Sequence, residues 1–100
     1  MAVMRDWSVL DEIWLVIQDR AEHPTAESYV SSLLTHRKGV DKSLEKVGEE
    51  AVEFILAAKG GTPERTISEA ADLLFHLLVA LRASGTDVAD VLEELAVRRK

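Results

Sequence analysis

The sequence predicts an all-α fold, a helical bundle of four to five helices. Apolar residues recur at intervals of three and four along most of the chain, and no stretch shows the alternation of a half-buried strand. Glycine, proline and capping residues separate the helical stretches. With 100 residues, of which 47% are hydrophobic, the chain can form one compact domain, which we expect to span residues 1–100.

The first predicted helix covers residues 8–22, where the apolar residues follow helical spacing. The proline-containing stretch 23–25 ends it. A short helix follows over about residues 28–36, before Gly39 breaks the pattern. We expect the buried side of the short helix to consist of Tyr29, Leu33 and Leu34.

Two long helices are predicted next, over residues 40–59 and 63–84. The glycines at 60–61 end the first of them, and Thr62 followed by proline is the pattern of a new helix start. Gly85 ends the second long helix.

A last helix is predicted after Thr86 or Asp87, either of which can cap it, and before the basic tail 98–100. Four apolar residues at helical spacing are expected to face inward from this helix: Val88, Val91, Leu92 and Leu95.

Two short acidic clusters lie on the long helices. Glu49, Glu50 and Glu53 stand on the first, and Glu69 and Asp72 stand on the second. Residues three or four apart share one face of a helix, so each neighbouring pair of like charges costs about 0.2–0.5 kcal/mol unless a cation compensates it. The simplest compensating partner is a divalent metal ion.

On the first long helix alone, a solvated charged face also explains the acidic cluster. Lys46 can pair with Glu49 or Glu50 at helical spacing, and Lys42 lies on the same face. The apolar stripe on the opposite side consists of Leu44, Val47, Ala51, Ile55 and Ala58.

The second long helix is apolar over most of its circumference across residues 73–81, which predicts a helix buried on nearly all sides. Its one polar stripe contains Arg65, Glu69, Asp72 and His76. A salt bridge from Arg65 to Glu69 and a hydrogen-bonded core histidine would explain half of this stripe. Asp72 stays unexplained, and a buried ionised carboxylate costs several kcal/mol unless it is paired or bound to metal.

Carboxylate oxygens, with no cysteine in the chain, suit Mg²⁺ or Mn²⁺ and suit zinc or copper poorly. In proteins Mg²⁺ shares its coordination with substrate phosphates and activates water. Lys42 and Lys46 could contact those phosphates, or could equally be surface partners of the glutamates.

Charge and composition limit the kinds of binding partner and the cellular location that we expect. A net charge of −6 disfavours a nucleic-acid backbone as the principal partner. Residues 1–6 lead into mixed charge, so we expect neither a signal peptide nor a membrane span. The absence of cysteine suits a reducing cytoplasm, where we expect the protein to be located.

Two stretches carry a resemblance to a known family. SYVSSLLTHRKGVDKSLEKVGEEAVEFILAAK at 28–59 and ISEAADLLFHLLVAL at 67–81 resemble the phosphoribosyl-ATP pyrophosphohydrolases of histidine biosynthesis. These belong to the MazG-like all-α nucleotide pyrophosphatases, whose signature is ExxE followed by ExxD. The similarity covers about residues 28–97.

The resemblance implies hydrolysis of 1-(5-phospho-β-D-ribosyl)-ATP to the corresponding AMP compound and pyrophosphate, the second step of the pathway, with Mg²⁺ as cofactor. It implies that Glu50, Glu53, Glu69 and Asp72 are metal ligands and that Glu49 is an additional catalytic carboxylate. Which of the five accepts the proton of the attacking water is left open.

Positively charged and polar residues near the acidic clusters are the candidates for substrate contacts. Lys42, Lys46, Arg65 and His76 are candidates for phosphate or ribose contacts. The apolar second long helix and the resemblance together predict a homodimer with a four-helix-bundle core that encloses the acidic stripes. The cyclohydrolase that acts next in the pathway is expected to be a separate chain, because this one has neither the room nor the cysteines for it.

Three other classes compete with this interpretation. A di-iron carboxylate bundle needs Glu-x-x-His, and Leu73 stands three residues before His76, so that class fails on spacing. A MazG-like pyrophosphatase acting on another nucleoside triphosphate and a non-enzymatic helical interaction module both remain open.

Overall fold

The computed structural model describes residues 5–99, and every regular element in that range is an α-helix, as the sequence predicts. The five helices are α1 (Ser8–Glu22), α2 (Tyr29–Leu34), α3 (Val40–Gly60), α4 (Pro63–Ala83) and α5 (Val88–Arg98). Residues 1–4, which belong to the stretch where we expect no signal peptide, lie outside the described range, as does residue 100 of the basic tail. Within it, no helix is both long and apolar enough to cross a membrane.

The helices α3 and α4 form a hairpin with the most extensive contact in the molecule. Gly61 and Thr62 alone connect them, because α3 ends at Gly60 and α4 begins at Pro63. A β-carbon at position 61 would lie 2.8 Å from the Ala57 carbonyl oxygen, so the chain needs glycine there to turn back this closely. The Thr62 hydroxyl accepts the Arg65 backbone N–H at 3.3 Å, which confirms the predicted helix start.

The apolar core lies where α1 and α2 cross the C-terminal half of α4. Ile17 of α1 and Val79 of α4 are fully buried at its centre. The core consists of Trp14, Ile17, Val30, Leu33, Leu78 and Val79. The core therefore sits at one end of the hairpin and leaves the opposite end, with both acidic clusters, nearer to solvent.

On α2, the predicted buried side is partly wrong. Tyr29 is half exposed and Leu34 is only partly buried, whereas Val30, Ser31 and Leu33 are buried. The helix has fewer than two turns, so its orientation follows from the packing of Val30 and Leu33 into the core rather than from its own periodicity.

The apolar stripe predicted for α3 is not buried within the chain. Leu44 and Ile55 are exposed, and the residues that α3 buries are the small side chains of Ser43 and Ala57. Small residues allow close packing of α3 on α4, and the larger apolar side chains point away from the hairpin.

Burial of α4 and α5 is also less complete than predicted. On α4, Ile67, Leu74 and Leu77 are exposed, so the helix is not covered on nearly all sides by its own chain. On α5, Leu92 and Leu95 are exposed, contrary to the expected inward face. A chain of 100 residues has too few helices to cover every apolar face.

The end of α4 and the start of α5 are fixed by local hydrogen bonds. Gly85 has φ 80°, and the N–H groups of Gly85 and Thr86 donate to the carbonyls of Arg82 and Leu81. This is the Schellman pattern, in which glycine takes the left-handed conformation. The Asp87 carboxylate then accepts the Ala89 N–H at 2.8 Å, so Asp87 is the cap of α5.

We expect Gly85→Ala to lower the free energy of unfolding by about 1 kcal/mol, because a β-carbon disfavours the left-handed conformation. Gly60→Ala is the matched control. Position 60 is helical with open space around the added carbon, so this change should raise the free energy of unfolding by about 0.5 kcal/mol. Urea unfolding at one fixed protein concentration measures both, and a loss of stability in Gly60→Ala or none in Gly85→Ala would contradict the assignment.

Candidate metal centre

The α3–α4 hairpin brings one carboxylate of the first acidic cluster against the second cluster. Oxygen atoms of Glu50, Glu69 and Asp72 all lie within 4.8 Å of one another. The side chains of Glu50 and Glu69 are only 14% and 18% exposed, whereas Asp72 lies at the exposed edge. We refer to Glu50, Glu69 and Asp72 as the carboxylate triad.

The donor set of the carboxylate triad fits a hard divalent cation. All donors are carboxylate oxygens, without the thiolate or imidazole groups that favour zinc or copper. Ligand bonds of about 2.0–2.1 Å to Mg²⁺ allow opposite oxygens to be about 4.2 Å apart. Oxygens that lie at most 4.8 Å apart are therefore near the spacing that such an ion requires.

Lys46 lies beside the triad on α3. Its ammonium is 3.1 Å from Glu49 and 3.5 Å from Glu50, so both ion pairs expected from helical spacing are present. The hydrogen bond to Glu49 raises the pKa of Lys46 above its ordinary value, and the charges of Glu49 and Glu50 act in the same direction. Lys46 is therefore a fixed positive charge at this end of the triad.

Arg65 supplies a second positive charge, on the first turns of α4. Its guanidinium is 3.5 Å from Glu69, as the spacing predicts, and 3.9 Å from Glu53 across the hairpin. Glu53 thus faces Arg65 and lies outside the triad, with its side chain about half exposed. The triad is flanked by a cation on each side, Lys46 on α3 and Arg65 on α4.

His76 lies one turn beyond Asp72 and is buried, with only 6% of its surface exposed. Its Nδ1 is 2.8 Å from the Asp72 carbonyl oxygen, and its Nε2 is 2.9 Å from the Tyr29 hydroxyl. A carbonyl oxygen only accepts hydrogen bonds, so Nδ1 carries the proton and Nε2 accepts from the tyrosine hydroxyl. Both ring nitrogens are used inside the protein.

The structure brings some of the predicted site residues together and keeps others apart. Three of the four expected metal ligands come together, and the fourth, Glu53, pairs with Arg65. Glu49 pairs with Lys46 at the rim, and Lys42 lies half-buried one turn before Lys46. The sequence analysis did not predict the contact of Tyr29 with His76. The one feature of the sequence that draws attention to Tyr29 is its place inside the stretch that carries the family resemblance.

The sequence matches the model of one protein family over most of its length. The model of the phosphoribosyl-ATP pyrophosphohydrolase family matches residues 10–99. The chain belongs to this family. The match begins within α1, so the relationship extends further toward the N-terminus than residues 28–97, where the motifs indicate it.

Curated members of the phosphoribosyl-ATP pyrophosphohydrolase family resemble the chain over nearly their full length. The phosphoribosyl-ATP pyrophosphatase of Methanoculleus marisnigri is 81% identical over 97 residues, which cover 97% of this chain and 100% of the relative. That of Methanosphaerula palustris is 61% identical, covering 97% and 98%. That of Methanocorpusculum labreanum is 63% identical, covering 96% and 93%.

We expect Asp72→Asn to raise the free energy of unfolding by about 0.2–0.5 kcal/mol in metal-free buffer at low salt, because it removes one of three crowded negative charges. Within residues 5–99, Asp72 has no ion pair of its own, unlike Glu50 and Glu69. The gain should shrink in about 0.5 M NaCl, which screens the repulsion.

Glu93→Gln on α5 is the control for the removal of a charge far from the triad, and it should change the stability less. Urea titrations of the two variants in chelator-treated buffer provide the comparison. A lower stability of Asp72→Asn would mean that the triad carboxylates do not repel one another in the metal-free protein.

Proposed function

We propose that this protein hydrolyses phosphoribosyl-ATP to phosphoribosyl-AMP and pyrophosphate, the second step of histidine biosynthesis. The observation that carries the proposal is the convergence of Glu50, Glu69 and Asp72 in a chain whose relatives of nearly equal length are named phosphoribosyl-ATP pyrophosphatase. Cleavage of a phosphoric anhydride needs strong neutralisation of phosphate charge, and the triad is suited to hold the cation that provides it.

The cofactor in this proposal is Mg²⁺, with Mn²⁺ as a possible substitute, held by the carboxylate triad. Glu53 can become a fourth metal ligand if its ion pair with Arg65 breaks. Breaking this pair costs little free energy, because the charges are 3.9 Å apart and about half exposed. A bound Mg²⁺ would neutralise phosphate charge and lower the pKa of its water, which is the chemistry that hydrolysis of a phosphoric anhydride needs.

The protein's own cations complete the phosphate site. Lys46 and Arg65 each neutralise a triad carboxylate in the metal-free protein, at 3.5 Å in both cases. With a divalent ion held by the triad, Lys46 and Arg65 would be free to bind phosphate oxygens beside it. Lys42 lies one turn before Lys46 on α3 and adds a further positive charge that can bind the polyphosphate.

A general base is also needed, because the attacking water must lose a proton. Glu49 lies outside both the triad and the fourth ligand position proposed for Glu53, so it is the carboxylate that can accept this proton when the others hold the ion. His76 does not serve in this way in the proposal, since both of its ring nitrogens are bonded within the protein.

The test of this function is pyrophosphate release from phosphoribosyl-ATP, compared with release from ATP and dUTP. We expect phosphoribosyl-ATP to have the highest specificity constant, because only it offers the second phosphoribosyl group for recognition. Glu50→Gln should lower the rate by about 100-fold or more through loss of a metal ligand. Glu93→Gln on α5 is the control and should keep the wild-type rate.

Other outcomes of the same assay identify the competing functions. Equal specificity constants for the three nucleotides would indicate a general MazG-like pyrophosphatase. No metal-dependent hydrolysis of any of them would favour an interaction module without enzymatic activity, and inorganic phosphate as the product would contradict a pyrophosphohydrolase.

We propose in addition that the protein is a homodimer built on α3 and α4. The radius of gyration is 14.9 Å, against about 13 Å for a compact domain of 100 residues, so one chain is extended and incompletely covered. Exposed apolar side chains form a stripe along each helix of the hairpin: Leu44, Val52, Ile55 and Leu56 on α3, and Ile67, Leu74 and Leu77 on α4. Apolar stripes of this extent are typical of a protein interface. Enclosure of the acidic residues by the second copy stays a prediction.

Light scattering after size-exclusion chromatography should give about twice the chain mass of 11.1 kDa at micromolar concentration. We expect Ile55→Glu to shift the mass toward that of one chain, since it places a charge in the α3 stripe. Leu95→Glu on α5 is a matched control, because Leu95 and Ile55 are 57% and 58% exposed. A wild-type mass of one chain, or dissociation by Leu95→Glu alone, would contradict an α3–α4 interface.

A further inference from the structure

We propose that Tyr29 is a positioning residue, which acts through His76 to hold the turn of α4 that carries Asp72. The proposal rests on the metal centre proposed above and adds two residues that lie outside its carboxylates. It assigns to His76 a supporting role within the protein in place of the substrate contact expected from the sequence.

The hydrogen bonds from Tyr29 to Asp72 run in one direction. The Tyr29 hydroxyl donates to His76 Nε2 at 2.9 Å, and His76 Nδ1–H donates to the Asp72 carbonyl at 2.8 Å. The direction follows from the carbonyl, which can only accept: in a neutral imidazole Nδ1 then carries the proton, and Nε2 is left to accept from the hydroxyl. Loss of the tyrosine hydroxyl would leave the buried Nε2 without its partner.

Aromatic packing holds the Tyr29 hydroxyl in place. The Tyr29 ring stacks on Phe75 with centroids 6.2 Å apart and 21° between the planes. His76 meets both rings edge-on, at centroid distances of 5.7 Å from Tyr29 and 5.1 Å from Phe75. The rings would remain packed if the tyrosine became phenylalanine, so the contribution of the hydroxyl can be separated from that of the ring.

Asp72 is the triad member that needs support from its backbone. Glu50 and Glu69 are each held by an ion pair, with Lys46 and Arg65 respectively, whereas the described part of the chain offers Asp72 no such partner. The direction of its carboxylate therefore depends on the backbone turn from Asp72 to His76. The imidazole donates a hydrogen bond to the carbonyl at the start of that turn.

Outer groups that orient metal ligands typically change metal affinity by about 10–100-fold when they are removed. Titration of the protein with Mn²⁺, followed by electron paramagnetic resonance, measures this affinity without substrate. We expect Tyr29→Phe to weaken Mn²⁺ binding about tenfold. Thr35→Val is the matched control, because it removes another hydroxyl at the end of α2, one that donates to the Ser31 carbonyl and makes no contact with His76.

Two variants of His76 separate the two halves of the hydrogen-bond chain. His76→Asn places an amide N–H near the position of Nδ1 and keeps a donor for the Asp72 carbonyl, so it should bind Mn²⁺ about as Tyr29→Phe does. His76→Gln has its amide closer to Tyr29 and loses the bond to Asp72, so it should bind more weakly than His76→Asn.

Kinetics give a second readout, which a purely structural role would not change. Tyr29→Phe should raise the Mn²⁺ concentration needed for half-maximal activity, while kcat at saturating Mn²⁺ stays near the wild-type value. Wild-type affinity for Mn²⁺ in Tyr29→Phe would overturn the positioning role and leave the metal centre intact. Absence of Mn²⁺ binding in the wild-type protein would overturn both, and melting temperatures of all variants identify any that are unfolded.

Discussion

The carboxylates held together between α3 and α4 are the constraint on which the rest of the structure depends. Glu50, Glu69 and Asp72 repel one another, and the hairpin keeps their oxygens within 4.8 Å. The close α3–α4 contact through small side chains supplies the rigidity, and Lys46 and Arg65 reduce the repulsion from either side. The helices α1 and α2 pack their apolar residues on the C-terminal half of α4 and so support the same arrangement.

Much of the fold could be predicted because its signals are local. The helix-start pattern at Thr62, the glycine at 85 and the cap at Asp87 act within a few residues, and the structure confirms each of them. The buried faces were predicted less well. Periodicity shows which side of a helix is apolar, but Leu44 and Leu95 show that it does not tell whether the same chain covers that side.

The candidate site divides in the same way between local and distant interactions. The ion pairs of Lys46 with Glu50 and of Arg65 with Glu69 follow from spacing along one helix. The choice of Glu50 rather than Glu53 as the neighbour of the second cluster depends on how α3 is rotated against α4. The Tyr29–His76 bond joins residues 47 positions apart, so no periodicity could indicate it.

The connection of α3 to α4 by Gly61 and Thr62 alone has a consequence for how sequences of this kind can vary in length. One residue inserted between Glu50 and that connection would rotate the carboxylate by about 100° and shift it by about 1.5 Å along the helix axis. The carboxylate would then leave the interhelical space. The stretch from Glu50 to Asp72 thus behaves as a unit of fixed length, whereas α5, which has no buried residue, can gain or lose residues without disturbing it.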